Sequence, residues 1–213
     1  GKANWLPLLQ WDIKTFKKYI TREVLNSCDN LEFCGTWGDP FMNKDIWKIC
    51  EYIIKESKAK IKCNTNGSFR NPDWWWDLGV LCGDRLTCYF DIDGIDQETH
   101  SKYRRGTDLE LIKENLVSLA ATKAYVKIFT VLFKHNQDQL ADIMELGKEC
   151  GAESIYVVPS DRFHWRVTPW TFINEDGEEE DLHKSDWDQR EFQRTFKLNR
   201  RNIERVREYA SQR

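Results

Sequence analysis

From Trp11 to Pro159 one pattern recurs: a helical stretch, a short apolar strand, then a motif of glycine or small polar residues. This repeat constrains the fold more than any other feature. A first helix is expected over 12–26, with Asp12 as N-cap and Phe16, Tyr19, Ile20 and Val24 as its apolar stripe. Strand Leu31–Cys34 runs into Gly35-Thr36-Trp37-Gly38-Asp39-Pro40, and a helix over 44–55 follows. Strand Lys60–Cys63 ends in Asn64-Thr65-Asn66-Gly67-Ser68, and Pro72 opens a short helix. Strand 86–90 ends in Asp91-Ile92-Asp93-Gly94, ahead of a helix over 108–122. Strand 126–133 ends in Lys134-His135-Asn136, ahead of a helix over 137–150 that closes on Gly151. A last strand, 154–158, leads into Pro159-Ser160-Asp161-Arg162-Phe163. Five strands, each preceded by a helix, predict parallel pairing through right-handed crossovers. In such a barrel the strands' C-terminal ends meet on one face, where ligands bind. All five ends here carry Gly, Asp, Asn or Arg, so that face is read as a ligand site.

After Arg162 the pattern stops. The acidic stretch 175–181 reads as a solvated loop, and an Arg-rich helix is expected over 188–209, packed through Phe192, Phe196, Ile203 and Val206. Its arginines suit either a solvated face or a phosphate-bearing partner. The expected division is therefore a partial barrel over 1–163 and a C-terminal extension over 164–213.

Composition narrows the class. Hydrophobic residues make up 40% and charged residues 31%, which suits a folded chain with a core rather than a disordered one. The net charge of −3 argues neither for nor against a nucleic-acid partner. No apolar run is long enough to span a bilayer, and the first ten residues lack the pattern of a secretory signal, so no membrane partner is expected. The seven cysteines form no CxxC pair, and most lie in apolar runs, as buried reduced thiols of a cytoplasmic protein do. Cys34, Cys63 and Cys88 fall on adjacent strands and form a possible alternative metal set. Among the ten tryptophans, Trp37, Trp74, Trp75, Trp76 and Trp165 have polar neighbours in sequence, so they either pack inside or line a groove.

The ordered loop motifs resemble the radical SAM superfamily. Leu31–Pro40 (LEFCGTWGDP) is similar to its GGE-type motif, Lys62–Ser68 (KCNTNGS) to its TNG motif, and Phe90–Gly106 (FDIDGIDQETHSKYRRG) to its fourth-strand element. Lys134-His135-Asn136 and Ser160–Phe163 resemble the later strand ends. The combination is most similar to a branch seen in phage and marine bacterial genomes, and it covers about Trp11 to Phe163.

The resemblance implies an α/β fold, a partial (β/α)6 parallel barrel, and binding of S-adenosylmethionine (SAM). It implies an enzyme in which a [4Fe–4S] cluster cleaves SAM to a 5′-deoxyadenosyl radical. On that reading Gly38, Asp39 and Pro40 take the SAM ammonium, and Arg105 forks its carboxylate. Asp91 or Asp93 holds the ribose, Asn66 and Asn136 contribute from neighbouring loops, and Val158 faces the adenine. The family's first strand and CxxxCxxC loop would fall before Trp5, so a cluster is expected only if ligands lie upstream of Gly1. The implied partners are SAM, a peptide or nucleotide substrate, and an electron donor such as flavodoxin or ferredoxin. The alternative is a SAM-barrel binding module or partner subunit without radical chemistry. Trp37, Trp74, Trp75 and Trp165 hint at a planar or peptide substrate.

Overall fold

The computed structural model describes residues 9–35, 38–159, 170–174 and 177–212. Thr36, Trp37, the Ser160–Phe163 motif and Trp165 lie outside the described residues.

The first expected helix is two. Asp12 caps α1 (Ile13–Tyr19) by accepting from the Thr15 N–H. Thr21 then adopts an extended conformation, and its hydroxyl accepts from Val24 to start α2 (Arg22–Asn26). A second good capping residue thus interrupts a continuous apolar stripe. Next come β1 (Asn30–Phe33), a 3-10 turn at Pro40–Met42, α3 (Ile46–Glu56), β2 (Lys60–Thr65) and α4 (Pro72–Cys82). These lead to β3 (Leu86–Asp91), α5 (Gln97–Ser101), α6 (Leu109–Ala120), β4 (Tyr125–Leu132), α7 (Leu140–Glu149) and β5 (Ser154–Pro159). The five strands pair in parallel in the order β1-β2-β3-β4-β5, as the repeat predicts.

The strands show the alternation of a sheet whose two faces differ. Ile61, Cys63, Leu86, Cys88, Phe90, Val126, Ile128, Ile155 and Val157 are buried in one cluster with Ile53, Leu78, Ile112, Leu116 and Ile143 of the covering helices. On the other face Lys62, Asn64, Thr87, Tyr89, Lys127, Phe129 and Tyr156 are only half-buried. The helices cover one side and leave the other open.

The C-terminal region departs most from expectation. It contains a hairpin of β6 (Trp170–Ile173) and β7 (Glu179–Leu182), so part of the acidic stretch is strand. The expected helix over 188–209 is replaced by α8 (Gln189–Phe192), β8 (Arg194–Lys197) and α9 (Arg200–Ser211). Strand β8 pairs antiparallel with β5 and becomes the sixth strand of the sheet. Asn199 restarts the helix by capping Asn202. Phe192, Phe196, Ile203 and Val206 are buried, as the apolar pattern predicts. Three of the arginines pair within the chain: Arg200 with Glu204, Arg205 with Glu191, and Arg207 with Asp142 and Glu145 of α7. Among the described residues no helix is long and apolar enough to cross a membrane.

All seven cysteines are free, and five are buried. Cys63 and Cys88 are register partners inside the core, whereas Cys34 is exposed beyond the end of β1. Among the described residues no three His, Cys, Asp or Glu side chains could hold a metal ion, so the alternative cysteine set is not assembled.

Candidate functional site

The C-terminal ends of β1 to β5 converge on a cavity of about 720 Å³, within the size range of small-molecule sites. Gly38, Asp39, Asn64, Asn66, Asp91, Tyr103, Arg104, Phe129, Tyr156 and Val158 are among its lining. The β6–β7 hairpin packs Phe172 and Leu182 on Val131 and Phe133, with Val158 and Tyr103 at the margin of that cluster, and so buttresses one wall.

Asp39 ties two of the loops together. Its Oδ1 accepts from the Phe41 N–H at 2.9 Å, and its Oδ2 accepts from the Thr65 hydroxyl at 2.8 Å and the Asn66 N–H at 2.7 Å. Burial raises its pKa, and these hydrogen bonds pull the other way. The carboxylate expected to assist with an ammonium is therefore largely committed to loop structure. Gly67 completes the second loop at φ 75°, and a Cβ there would lie 2.7 Å from the Phe90 ring. Asn115 of α6 reaches up to donate to the Gly67 carbonyl at 2.8 Å.

The third loop holds the charged centre. Arg104 donates through Nε to Asp93 Oδ2 at 2.6 Å and through Nη1 to Asn66 Oδ1 at 3.3 Å, and its Nη1 forms an ion pair with Asp91 Oδ2 at 2.8 Å. Asp93 is fully buried, and its other oxygen accepts from the Val131 N–H at 2.6 Å. One guanidinium thus serves two carboxylates. Burial opposes the charge on Arg104, but Asp93 and Asp91 outweigh it and hold its pKa above the ordinary range. Burial raises Asp93 as well, against Arg104 and the Val131 hydrogen bond. Asp91 is pushed up to about 7, first by burial and then by Asp93 and Asp39, with Arg104 opposing. Among the described residues its Oδ1 is buried without a hydrogen-bond partner, and so is Asn64 Oδ1 on the neighbouring strand. Such unpaired acceptors are rare and costly unless a ligand completes them.

His100 supports this centre from behind. It is fully buried, and burial lowers its pKa to about 4, so the ring is neutral. Its Nδ1 accepts from the Asp93 N–H at 3.2 Å, which leaves the proton on Nε2 to donate to Thr107 Oγ1 at 3.0 Å. Thr107 in turn donates to the Arg104 carbonyl. Gly94 permits this packing, because a Cβ on it would lie 2.5 Å from the His100 backbone nitrogen.

Gly38, Asp39, Asn66, Asp91 and Val158 therefore come together at one cavity. Four other sequence-selected residues lie around it. Pro40 lines an adjoining apolar groove along β1, and Asp93 sits beneath the cavity as an anchor. Asn136 is fully buried, accepting from the Phe133 N–H and donating to the Asp93 and Val131 carbonyls. Arg105 faces away: it stacks on Phe172 at 4.5 Å and donates to the Ile173 carbonyl at 2.9 Å. The guanidinium at the cavity belongs to Arg104, which the sequence reading passed over. The helical bond from the Arg104 N–H to the His100 carbonyl carries the signal, since a residue four after a buried histidine shares its face.

No family model matches the chain. Two curated relatives do. The mycofactocin maturase MftC of Mycobacterium ulcerans is 27% identical over 139 residues, covering 62% of this chain and 37% of that protein. The AdoMet-dependent heme synthase of Methanosarcina barkeri is 27% identical over 129 residues, covering 59% of this chain and 36% of that protein. The chain thus spans little more than a third of the length of either relative. Among solved structures, Streptococcus suis SuiB bound to S-adenosylmethionine superposes with a TM-score of 0.52 at 14% identity, over 61% of this chain and 29% of SuiB. SuiB bound to its precursor peptide SuiA gives 0.53 at 14% identity, over 61% and 28%. The Escherichia coli coproporphyrinogen III oxidase HemN, a radical SAM enzyme, gives 0.50 at 15% identity, over 66% and 34%. The chain resembles the radical SAM superfamily in sequence and has its partial-barrel fold.

Proposed function

We propose that the cavity at the strand ends binds SAM, and that the chain is the SAM-binding barrel of a radical enzyme that modifies a peptide. The observation that carries the reading is the buried, unpartnered Asp91 Oδ1 in the wall of the cavity. A carboxylate held through Oδ2 by Arg104, with Oδ1 left without a donor among the described residues, suits a ligand rich in hydroxyl and ammonium groups. Asp91 would accept from the ribose hydroxyls, the backbone at Gly38 from the ammonium, and the backbone at Val158 would face the adenine. Asn66, pinned by Asp39 and Arg104, would set the height of the second loop against the ligand. Arg104 positions Asp91, while Asp93, His100 and Asn136 fix Arg104 and its loop.

When bound together with a reduced [4Fe–4S] cluster, SAM would supply the hydrogen-abstracting chemistry of this superfamily. The described residues offer no ligand set for the [4Fe–4S] cluster, so their own contribution is to bind and orient SAM. The peptide substrate is proposed from the likeness to SuiB and to the maturase MftC.

Calorimetric titration of SAM tests this reading. Asp91 ionises near 7, and donors from a cationic ligand favour its ionised form. SAM affinity should therefore rise as pH increases from 6 to 8. Asp91→Asn should weaken binding about tenfold at pH 8, the scale of a hydrogen bond to a charged group, and should flatten the pH profile. Equal affinity and an equal profile in the variant would remove Asp91 from the site.

A further inference from the structure

The open face of the sheet carries charge where a barrel of this kind normally packs apolar side chains. Register places Asn64, Tyr89, Lys127 and Ser154 in one row across β2 to β5, one row below Asp91, Phe129 and Tyr156 at the cavity. Lys62 lies in the next row down, beside Thr87. Lys62 and Lys127 are half-buried, and among the described residues neither has a carboxylate within ion-pair distance. Lys127 lies over the Tyr89 ring at 5.5 Å, a contact that orients the ammonium without neutralising it. Glu32, the register partner of Lys62 on β1, is exposed and makes no ion pair with it. Two lysines on one face without a carboxylate partner are electrostatically complementary to carboxylates brought by a ligand.

We propose that this face binds the acidic side chains of an extended peptide, with Lys62 and Lys127 each taking a carboxylate and Tyr89, Phe129 and Tyr156 forming the floor. The proposal deepens the peptide reading above and rests on it for the substrate class. Two strand spacings of ~4.8 Å and one two-residue step of ~3.3 Å per residue separate the two lysine positions by about 12 Å. An extended peptide covers about 13 Å in four residues on one face, so acidic residues at i and i+4 match. Lys60 at the start of β2 and Lys197, the register partner of Ser154 on β8, also stand on this face; a nucleic acid strand, whose affinity comes from several cations along its backbone, is therefore the competing polyanion, and an oligouridylate probe separates the two.

Fluorescence anisotropy of labelled nine-residue peptides tests this on the full chain, with and without SAM. One peptide carries Glu at positions 3 and 7, and a second carries Gln there. A ten-nucleotide oligouridylate is the third probe. The Glu peptide should bind at least tenfold tighter than the Gln peptide. Lys62→Met and Lys127→Met keep the aliphatic stems, and each should remove most of that preference while leaving the melting temperature and SAM affinity unchanged. Equal binding of the two peptides, a preference that survives in both Met variants, or tighter binding of the oligouridylate would overturn the proposal. A Glu preference without SAM binding would sink the cofactor reading and leave this face standing. SAM binding without a Glu preference would do the reverse.

Discussion

Replacing Arg104 with Leu is expected to destabilise the chain by about 3–5 kcal/mol, the range for breaking a buried ion pair from one side. The cause is what stays behind. Asp93 is fully buried, and Asp91 is nearly so. Without the guanidinium, both carboxylates either take up protons or remain as uncompensated charge. Arg104→Lys should recover only part of the loss, because a single ammonium cannot fork between Asp91, Asp93 and Asn66 as the guanidinium does. Urea unfolding at pH 7 measures both variants. A loss below about 1 kcal/mol for Arg104→Leu, the scale of an exposed ion pair, would mean that the two carboxylates are far better solvated than their burial indicates.

Trp75→Ala should cost about 3–5 kcal/mol through the cavity it leaves. The side chain is fully buried, its rings meet Phe41, Trp74 and Phe90 within 5.5 Å, and its Nε1 donates to the Phe69 carbonyl at 3.0 Å. Substitution leaves that carbonyl without its donor and opens the core where α4 meets the sheet. The exposed neighbour Trp76 provides the control, and Trp76→Ala should change stability by less than about 0.5 kcal/mol, as surface substitutions do. Equal losses at the two positions would contradict the packing described here.

The tryptophans show where sequence reading stops. Trp74, Trp75 and Trp76 have the same polar-flanked appearance in sequence, and their fates depend on helical phase. Asn71 caps α4 and turns Trp75 inward, leaves Trp74 half-buried against Phe41 and Trp47, and exposes Trp76. Trp74 and Trp75 therefore belong to the aromatic core rather than to a substrate surface. The five parallel strands were legible because each is a short stretch of alternating or continuous apolar residues closed by glycine, asparagine, aspartate or proline, and local chemistry suffices to end a strand there. Strand β8 was not. Phe192, Phe196, Ile203 and Val206 recur at helical spacing, and only pairing with β5 draws Arg194–Lys197 into the sheet.

The site was legible at the level of loops. The described parts of the predicted strand ends reach the cavity or its supporting shell, because parallel topology forces those ends together. Which side chain of a loop faces the cavity was harder, as Arg104 and Arg105 show. Adjacent residues point to different sides, and their assignment depends on how α5 packs on Gly94 and joins the Asp93 N–H through its His100. The partnerless Asp91 Oδ1 is a three-dimensional fact without a sequence signature.

The most direct test of the central claim is a titration of the isotopically labelled chain with SAM, followed by amide chemical shifts. The account predicts saturable shifts confined to Gly38, Asn66, the Asp91–Gly94 loop and Val158, with Arg105 and α9 unmoved. Saturable shifts centred elsewhere, or none at millimolar SAM, would contradict it.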